Sequence, residues 1–174
     1  IFTNDDALAS KMRASANHGM VVRYHHDEVG VNSRLDSIQA AILDCKLPHL
    51  DSYIASRQRA AAFYDNAFAG NPHLLIPTRS ADSTHVFHQY TLRLIDVDRD
   101  ALRNALAEKG IPAMVYYPIP LHMQKAYQDP RYQTGDFPVA EKLADCVLSL
   151  PMHTELDEEQ LTYICNHVLA FVNQ

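Results

Sequence analysis

A long helical pattern that starts at Ser33 carries two apolar stripes, and no other feature limits the fold of this chain as strongly. The stripes consist of Leu35, Ile38, Ile42 and Cys45, and of Leu43, Leu47, Leu50 and Ile54. At about 100° per residue they lie roughly 130° apart on the helix surface. A helix that is apolar on two sides is either enclosed within its own subunit or shared with a partner chain. Pro48 falls inside the pattern and predicts a kink or a break there.

The rest of the chain is organised around this pattern. Residues 1–30 are predicted to form a helix over Asp5–Ala16, which Asn4 or Asp5 can cap, and then a polar loop, as a remnant of a larger domain. Residues 31–70 are predicted to form long helices that connect two domains or lie at an interface, and Gly70 is their stop signal. Residues 71–174 are predicted to form a small α+β domain.

This third part alternates strands with helices. Apolar and polar residues alternate over Val86–Leu94, which predicts a half-buried strand, and Ala113–Tyr117 is predicted as another. One predicted helix runs over 98–109, with Asp98 as its cap, and another over 138–147. A third begins after Asp157, where Gln160 has capping-box spacing. Its apolar face consists of Leu161, Ile164, Cys165, Val168 and Val172. A short strand is predicted over 148–150. The expected fold class is α/β, with a small antiparallel or mixed sheet packed by helices.

Composition excludes several classes of protein. Apolar residues make up 47% of the chain and charged residues 21%, which is typical of a globular protein. No apolar run approaches the roughly 20 residues of a membrane span. The net charge is −6 and no block of Lys and Arg occurs, so no nucleic-acid partner is expected, although local arginines can still bind a small anion. Cys45, Cys146 and Cys165 are predicted to be reduced, buried thiols of a cytoplasmic protein.

The ten histidines predict no metal site. His85 and His88 have ligand spacing only on a helix, and they fall where a strand is predicted, so their side chains would point to opposite faces. The run from His25 to Glu28 holds adjacent residues, which seldom converge on one ion, and zinc-site spacings are absent. Neither a nucleophile-plus-base motif nor a glycine-rich phosphate loop is present.

Two short segments are candidates for ligand binding. Asn32, Ser33 and Arg34 stand at the predicted start of the long helix, where backbone N–H groups, the helix dipole and a guanidinium would favour an anion. The alternative is that Asn32 only caps the helix. The run Tyr116–His122 holds two prolines that stiffen a loop presenting phenol and imidazole groups, or simply form a rigid turn with aromatic packing.

Five ordered segments give the chain a family resemblance. They read TNDDALASKMRASANHG, GVNSRLDSIQAAIL with KLPHLD after it, HVFHQYTLRL, IPAMVYYPIPLHMQKAY and GDFPVAEKLADCVLSLPMHTELDEEQL. In this order they resemble the nucleotide-sugar aminotransferases, the DegT/DnrJ/StrS family, whose fold is that of fold type I enzymes dependent on pyridoxal 5′-phosphate (PLP). The chain resembles the C-terminal part of that family, over essentially its whole length.

The resemblance implies an activity for the intact protein. Glutamate would donate an amino group by way of PLP to a keto-sugar nucleotide, UDP-linked in our prediction, for amino-sugar and cell-surface polysaccharide biosynthesis. The family also implies a cytoplasmic homodimer with a shared active site. No catalytic residue is expected in this chain, because the family's Schiff-base lysine would lie upstream of Ile1, and Lys11, Lys46, Lys109, Lys125 and Lys142 match no catalytic position.

Residue roles follow from the same resemblance. Asn32 and Arg34 match positions that reach across the dimer to the PLP phosphate. Tyr117 and His122 match the loop that contacts the sugar nucleotide. Tyr116 stands in that loop where the family commonly has His. His25 matches a mobile loop near the substrate.

Two alternatives stay open from the sequence. One is a PLP-dependent sugar dehydratase of the same fold, in which histidine replaces the lysine. The other is a non-enzymatic relative that acts as a regulatory or binding protein. The residue at the upstream lysine position would separate the two enzymatic alternatives.

Overall fold

The structure, a computed structural model, describes residues 1–174 and folds into two compact units, residues 1–49 and residues 50–174. The first unit holds two α-helices, and the second holds four α-helices with a three-stranded sheet. None of the helices is both long enough and apolar enough to cross a membrane.

In the first unit, a long loop joins α1 (Asp6–Ala16) to α2 (Ser37–Lys46). The side chain of Asp5 caps α1 by accepting a 3.0 Å hydrogen bond from the N–H of Leu8, which confirms the predicted helix and its cap. The loop folds back on itself at Gly19, where φ is +76° and a Cβ would overlap the carbonyl of Glu28. This close approach of two backbone segments requires glycine there.

The start of α2 differs from the prediction. The helix begins at Ser37 rather than Ser33, and Asp36 occupies the N-cap position, where its N–H bonds to Oε1 of Gln39 at 3.2 Å. The expectation that Asn32 caps this helix is therefore wrong, since Asn32 lies in the preceding loop.

The predicted break at Pro48 is confirmed. A 3₁₀ turn, Leu47–His49, separates α2 from α3 (Leu50–Phe68), because proline has no N–H with which to continue the helix. The sequence predicts that α3 belongs to the connecting helices of residues 31–70 and that the small domain begins at residue 71. The structure instead includes α3 in the second unit, because its Tyr64 and Phe68 are fully buried in that unit's core.

The sheet of the second unit is antiparallel, with strand order β1-β2-β3. Its elements follow α3 in the order β1 (Leu74–Leu75), β2 (Tyr90–Leu94), α4 (Arg99–Glu108), two 3₁₀ turns (Leu121–Met123 and Lys125–Tyr127), α5 (Pro138–Cys146), β3 (Val147–Leu150) and α6 (Glu158–Val172). Leu74 pairs with Leu94, and Tyr90 pairs with Leu150. The predicted small sheet packed by helices is confirmed.

Of two predicted strands, one is shorter than expected and the other is absent. β2 begins at Tyr90 rather than Val86, because Phe87 has φ +50°, outside the extended region. The segment Ala113–Tyr117 forms no strand. Only Met114 pairs, in a single bridge to Ser149 on β3.

The core of the second unit is formed by the sheet with α3, α4 and α6. The rings of Tyr64 and Phe68 stack 5.9 Å apart, and the hydroxyl of Tyr64 donates a 2.9 Å hydrogen bond to the carbonyl of Pro151. The predicted capping box at Asp157 and Gln160 is present, and all five residues of the predicted apolar face of α6 are buried. Burial of each large side chain contributes about 1.5–3 kcal/mol.

The cysteine prediction is right for one thiol and wrong for another. All three are free, but Cys45 is exposed, Cys146 is half-buried and only Cys165 is buried. Burial raises the pKa of the Cys165 thiol to about 12, which makes it unreactive. Cys45 is exposed because the apolar face of α2 on which it lies is itself exposed.

Candidate functional site

Asn32 and Arg34 lie in the loop segment that runs along the end of α1. The backbone N–H of Val31 donates to the carbonyl of Ser15 at 2.8 Å, and the N–H of Ser33 donates to the carbonyl of Ala16 at 2.9 Å. These two hydrogen bonds hold the segment against the C-terminal end of α1. The Nε of Arg34 donates a 2.7 Å hydrogen bond to Oδ1 of Asn32. The structure therefore brings the two predicted cofactor-binding residues together, and both are exposed.

The free nitrogen atoms of this pair are all donors. Beyond the bond from Nε of Arg34 to Oδ1 of Asn32, the two terminal guanidinium nitrogens and the amide Nδ2 remain available to donate. Such a set suits a phosphate group. The start of α2 does not contribute as predicted, because Asp36 rather than Asn32 stands at its N-cap and places a carboxylate there. An anion at this position would therefore meet side-chain donors rather than the N-terminus of the helix.

His25 belongs to a tight turn in the same loop. Its N–H bonds to the carbonyl of Val22 at 2.9 Å, and Tyr24 before it has φ +68°. The neighbouring His26 is hydrogen-bonded within the loop, because its Nδ1 lies 2.8 Å from the carbonyl oxygen of His18. The His25 side chain is exposed. No group of three or more His, Cys, Asp or Glu residues in the chain is placed to hold a metal ion.

Tyr116 and Tyr117 lie in the second unit, on the loop after the Met114 bridge. Their rings contact edge to face with centroids 5.8 Å apart, and Tyr117 is 75% exposed. Both line an open cavity of about 460 Å³, with Leu143 of α5 among its apolar walls. Tyr117 can therefore contact a ligand, and its hydroxyl makes no hydrogen bond within the chain.

His122 faces a different environment. Its Nε2 lies 3.0 Å from Oε1 of Glu141, its ring lies 4.8 Å from that of Phe137, and its side chain is only 8% exposed. It lines a separate cavity of about 410 Å³, together with Tyr132. The structure thus does not bring Tyr117 and His122 to one cavity. One ring nitrogen of His122, Nε2, is already bonded to Glu141.

Glu141 is a residue that the sequence analysis did not select. Its carboxylate accepts hydrogen bonds from the N–H groups of Gly135 (2.9 Å) and Phe137 (3.3 Å) as well as from His122. The pKa of Glu141 is lowered, chiefly because of the Gly135 bond. The sequence feature that points to Glu141 is its place as an acidic residue in the first helical turn after Phe137 and Pro138. Acidic residues are common in first turns, so this feature does not distinguish Glu141 from them.

Comparison with known proteins places these features in a family. Residues 1–169 match the DegT/DnrJ/EryC1/StrS aminotransferase family. The UDP-N-acetyl-3-dehydro-α-D-glucosamine 3-aminotransferase of Acidithiobacillus ferrooxidans is 47% identical over 94% of this chain and 43% of its own length. A pleiotropic regulatory protein of Geobacillus stearothermophilus is 45% identical over 98% of this chain and 46% of its own length.

Solved structures agree with the sequence match. The crystal structure of DesV from S. venezuelae superposes with a TM-score of 0.88 at 37% identity, covering 99% of this chain and 46% of DesV. The chain therefore spans about half the length of the relatives that it matches. The family is PLP-dependent. With a family match that covers nearly every residue, the chain belongs to the DegT/DnrJ/EryC1/StrS aminotransferase family.

Proposed function

We propose that the full-length protein containing this chain is an aminotransferase that moves an amino group from glutamate to a keto-sugar nucleotide. Family membership supports the reaction class, and the 47% identical relative, whose name specifies a UDP-linked 3-dehydro sugar, supports a UDP-linked substrate. The observation that carries the proposal is the donor pair of Asn32 and Arg34, whose free nitrogen atoms all suit an anion.

The donor set fits the phosphate of PLP. Arg34 supplies a charged, forked contact and Asn32 supplies an amide N–H, and their mutual hydrogen bond fixes both side chains before the phosphate arrives. When bound, PLP supplies the electron sink that lets an amino group be transferred. The lysine that the reaction requires is assigned to the part of the protein outside this chain.

The exposed apolar side chains of α2 support a homodimer with a shared active site. Ile38, Ile42 and Leu43 are 77%, 52% and 54% exposed, which is costly for large apolar side chains on one helix. A second copy of the protein is the partner that we assign to these side chains. Asn32 and Arg34, just before α2, would then hold the phosphate of the partner subunit's cofactor.

The sugar nucleotide is assigned to the second unit. Tyr117 offers an exposed phenol beside Tyr116, and His122 offers the ring nitrogen that Glu141 does not bind. These groups donate to or accept from hydroxyls and phosphates. His25 is assigned a substrate contact by the family resemblance alone. The three free thiols support a cytoplasmic location.

The test is substrate turnover by the full-length protein. PLP-loaded protein is mixed with glutamate, and the absorbance change of the cofactor is followed. A panel of UDP- and dTDP-linked keto-sugars is then added. Return of the original spectrum with a UDP-linked keto-sugar supports the proposal. A protein that binds PLP and reacts with neither glutamate nor any keto-sugar would contradict it.

A regulatory role is the second candidate, because a 45% identical relative is named a pleiotropic regulatory protein. The two functions make different demands on the donor pair. Enzymatic turnover requires Asn32 and Arg34, whereas regulation without catalysis would survive the loss of turnover. A variant that retains a regulatory phenotype in cells while turnover is abolished would favour this second function.

A further inference from the structure

We propose that Glu141 is a positioning residue, which holds His122 by its Nε2 and thereby presents the other ring nitrogen, Nδ1, to the sugar nucleotide. The inference rests on the proposed function. It adds to that function a residue that contacts no substrate itself and acts through His122.

The carboxylate of Glu141 ties the substrate loop to a helix. Glu141 belongs to the first turn of α5, so its backbone is fixed by the helix. Its two oxygens accept hydrogen bonds of 2.9 and 3.0 Å from the N–H of Gly135, and Oε1 also accepts from the N–H of Phe137 at 3.3 Å. His122 adds the fourth contact, at 3.0 Å. One side chain therefore holds both ends of the segment from His122 to Phe137.

The rest of this segment has no comparable tie. Its other hydrogen bonds join residues that are close in sequence, such as Arg131 with Asp129 and the N–H of Gln133 with Asp136. Two short 3₁₀ turns are its only regular structure. Because local bonds do not position a loop relative to a helix, the placement of His122 depends on Glu141 and on packing against Phe137.

The bond also decides which nitrogen of His122 is available. An ionised carboxylate can only accept hydrogen bonds, so Nε2 of His122 must carry a proton. The lowered pKa of Glu141, caused first by the Gly135 N–H, supports the ionised form. Whenever the ring carries only this one proton, Nδ1 is an acceptor, which suits a sugar hydroxyl. His122 lines a cavity of about 410 Å³, which provides room for such a group.

The experiment uses Glu141→Ala and Glu141→Gln in the full-length protein, with Glu108→Ala as the matched control. Glu108 is an exposed glutamate at the end of α4 that makes no ion pair in the structure. The two half-reactions are followed separately, with the best UDP-linked keto-sugar and with glutamate. Glu141→Ala is expected to raise KM for the sugar about 10-fold and to leave the glutamate half-reaction within about 2-fold. Glu141→Gln, whose amide oxygen still accepts, is expected to raise KM about 3-fold.

Two further readouts separate positioning from loss of fold. Hydrogen exchange should show faster exchange at Gly135 and Phe137 in Glu141→Ala, and trypsin should cleave faster after Lys125 and Arg131. The double variant with His122→Ala should be no worse for the sugar than His122→Ala alone, because Glu141 acts through His122.

Unchanged KM for the sugar in Glu141→Ala, with a wild-type protein that turns the sugar over, would overturn the inference. So would an equal loss in both half-reactions, or full additivity with His122→Ala. Failure of the wild-type protein to use any keto-sugar nucleotide is a different result. It contradicts both the proposed function and the substrate role of His122. Faster hydrogen exchange at Gly135 and Phe137 in Glu141→Ala would then show only that Glu141 stabilises the loop.

Discussion

Arg34 and Asn32 are joined by a 2.7 Å hydrogen bond from Nε to Oδ1, and this bond leaves three donor nitrogens, two of the guanidinium and one of the amide, free at the ends of the side chains. Each residue thus restricts the rotamers of the other, so the pair loses less conformational freedom when an anion binds. A lysine in place of Arg34 would keep the charge and lose both the bond to Asn32 and the forked geometry.

Arg34→Lys is therefore expected to weaken PLP binding by the full-length protein about 10-fold, and Arg34→Ala about 100-fold. The measurement is the dissociation constant of PLP from its absorbance or from fluorescence titration. Arg23→Ala serves as the control, since Arg23 is an exposed arginine of the same loop that lies over the ring of Tyr24. Equal affinity in the wild type and Arg34→Ala would rule out the assigned phosphate contact.

A mixed dimer tests whether Asn32 acts across the proposed subunit interface. One chain carries Asn32→Ala and the other lacks the Schiff-base lysine that the family resemblance implies. If the contact is in trans, one site combines the intact lysine of the first chain with Asn32 of the second, and one active site in two is expected. Complete inactivity of the folded mixed dimer would show that Asn32 serves its own subunit.

His122→Ala is expected to weaken use of the sugar nucleotide by a factor of about 10 to 100, as for one lost polar contact of roughly 1.5–3 kcal/mol. The glutamate half-reaction should remain nearly unchanged, because it needs only PLP, lysine and the amino acid. Both are measured from the cofactor absorbance. Equal loss in the two half-reactions would mean that His122, already bonded to Glu141, only stabilises the loop.

Tyr64→Phe is expected to lower the free energy of unfolding by about 1–3 kcal/mol, because it leaves the carbonyl of Pro151 without its donor. Tyr163→Phe is the matched control. Its hydroxyl also bonds to a backbone carbonyl, that of Lys109 at 3.2 Å, but Tyr163 is exposed and water can replace the bond. Urea unfolding of both variants provides the comparison, and equal losses would argue against burial as the cause.

The Glu141 tie should also depend on pH. Because the pKa of Glu141 is lowered in the folded protein, its stabilising effect is fully present above the ordinary value near 4.5 and is lost as the pH falls through the lowered value. The difference in unfolding free energy between wild type and Glu141→Gln is therefore expected to shrink in this acidic window. A difference that stays constant down to pH 3 would contradict the assigned bonds.

Local sequence signals predicted most of the helices. The caps at Asp5, Asp98 and Asp157 and the break at Pro48 all act within one turn of the chain, so their spacing in the sequence is enough to place them. The start of α2 was misplaced because Asn32 and Asp36 are both good caps, and sequence spacing does not say which of them the loop backbone allows.

The sequence by itself determined the caps of α1, α4 and α6, the apolar face of α6 and the family-bearing segments, since these depend on residues close together along the chain. Only the tertiary structure decided that Tyr117 and His122 line different cavities. It also decided that the backbone at Phe87 leaves the extended region, so that β2 begins later, and that Glu141 forms a hydrogen bond with His122. The physical reason is distance along the chain. His122 and Glu141 are separated by a loop of turns whose path no periodic pattern encodes, and their hydrogen bond forms only once α5 has packed.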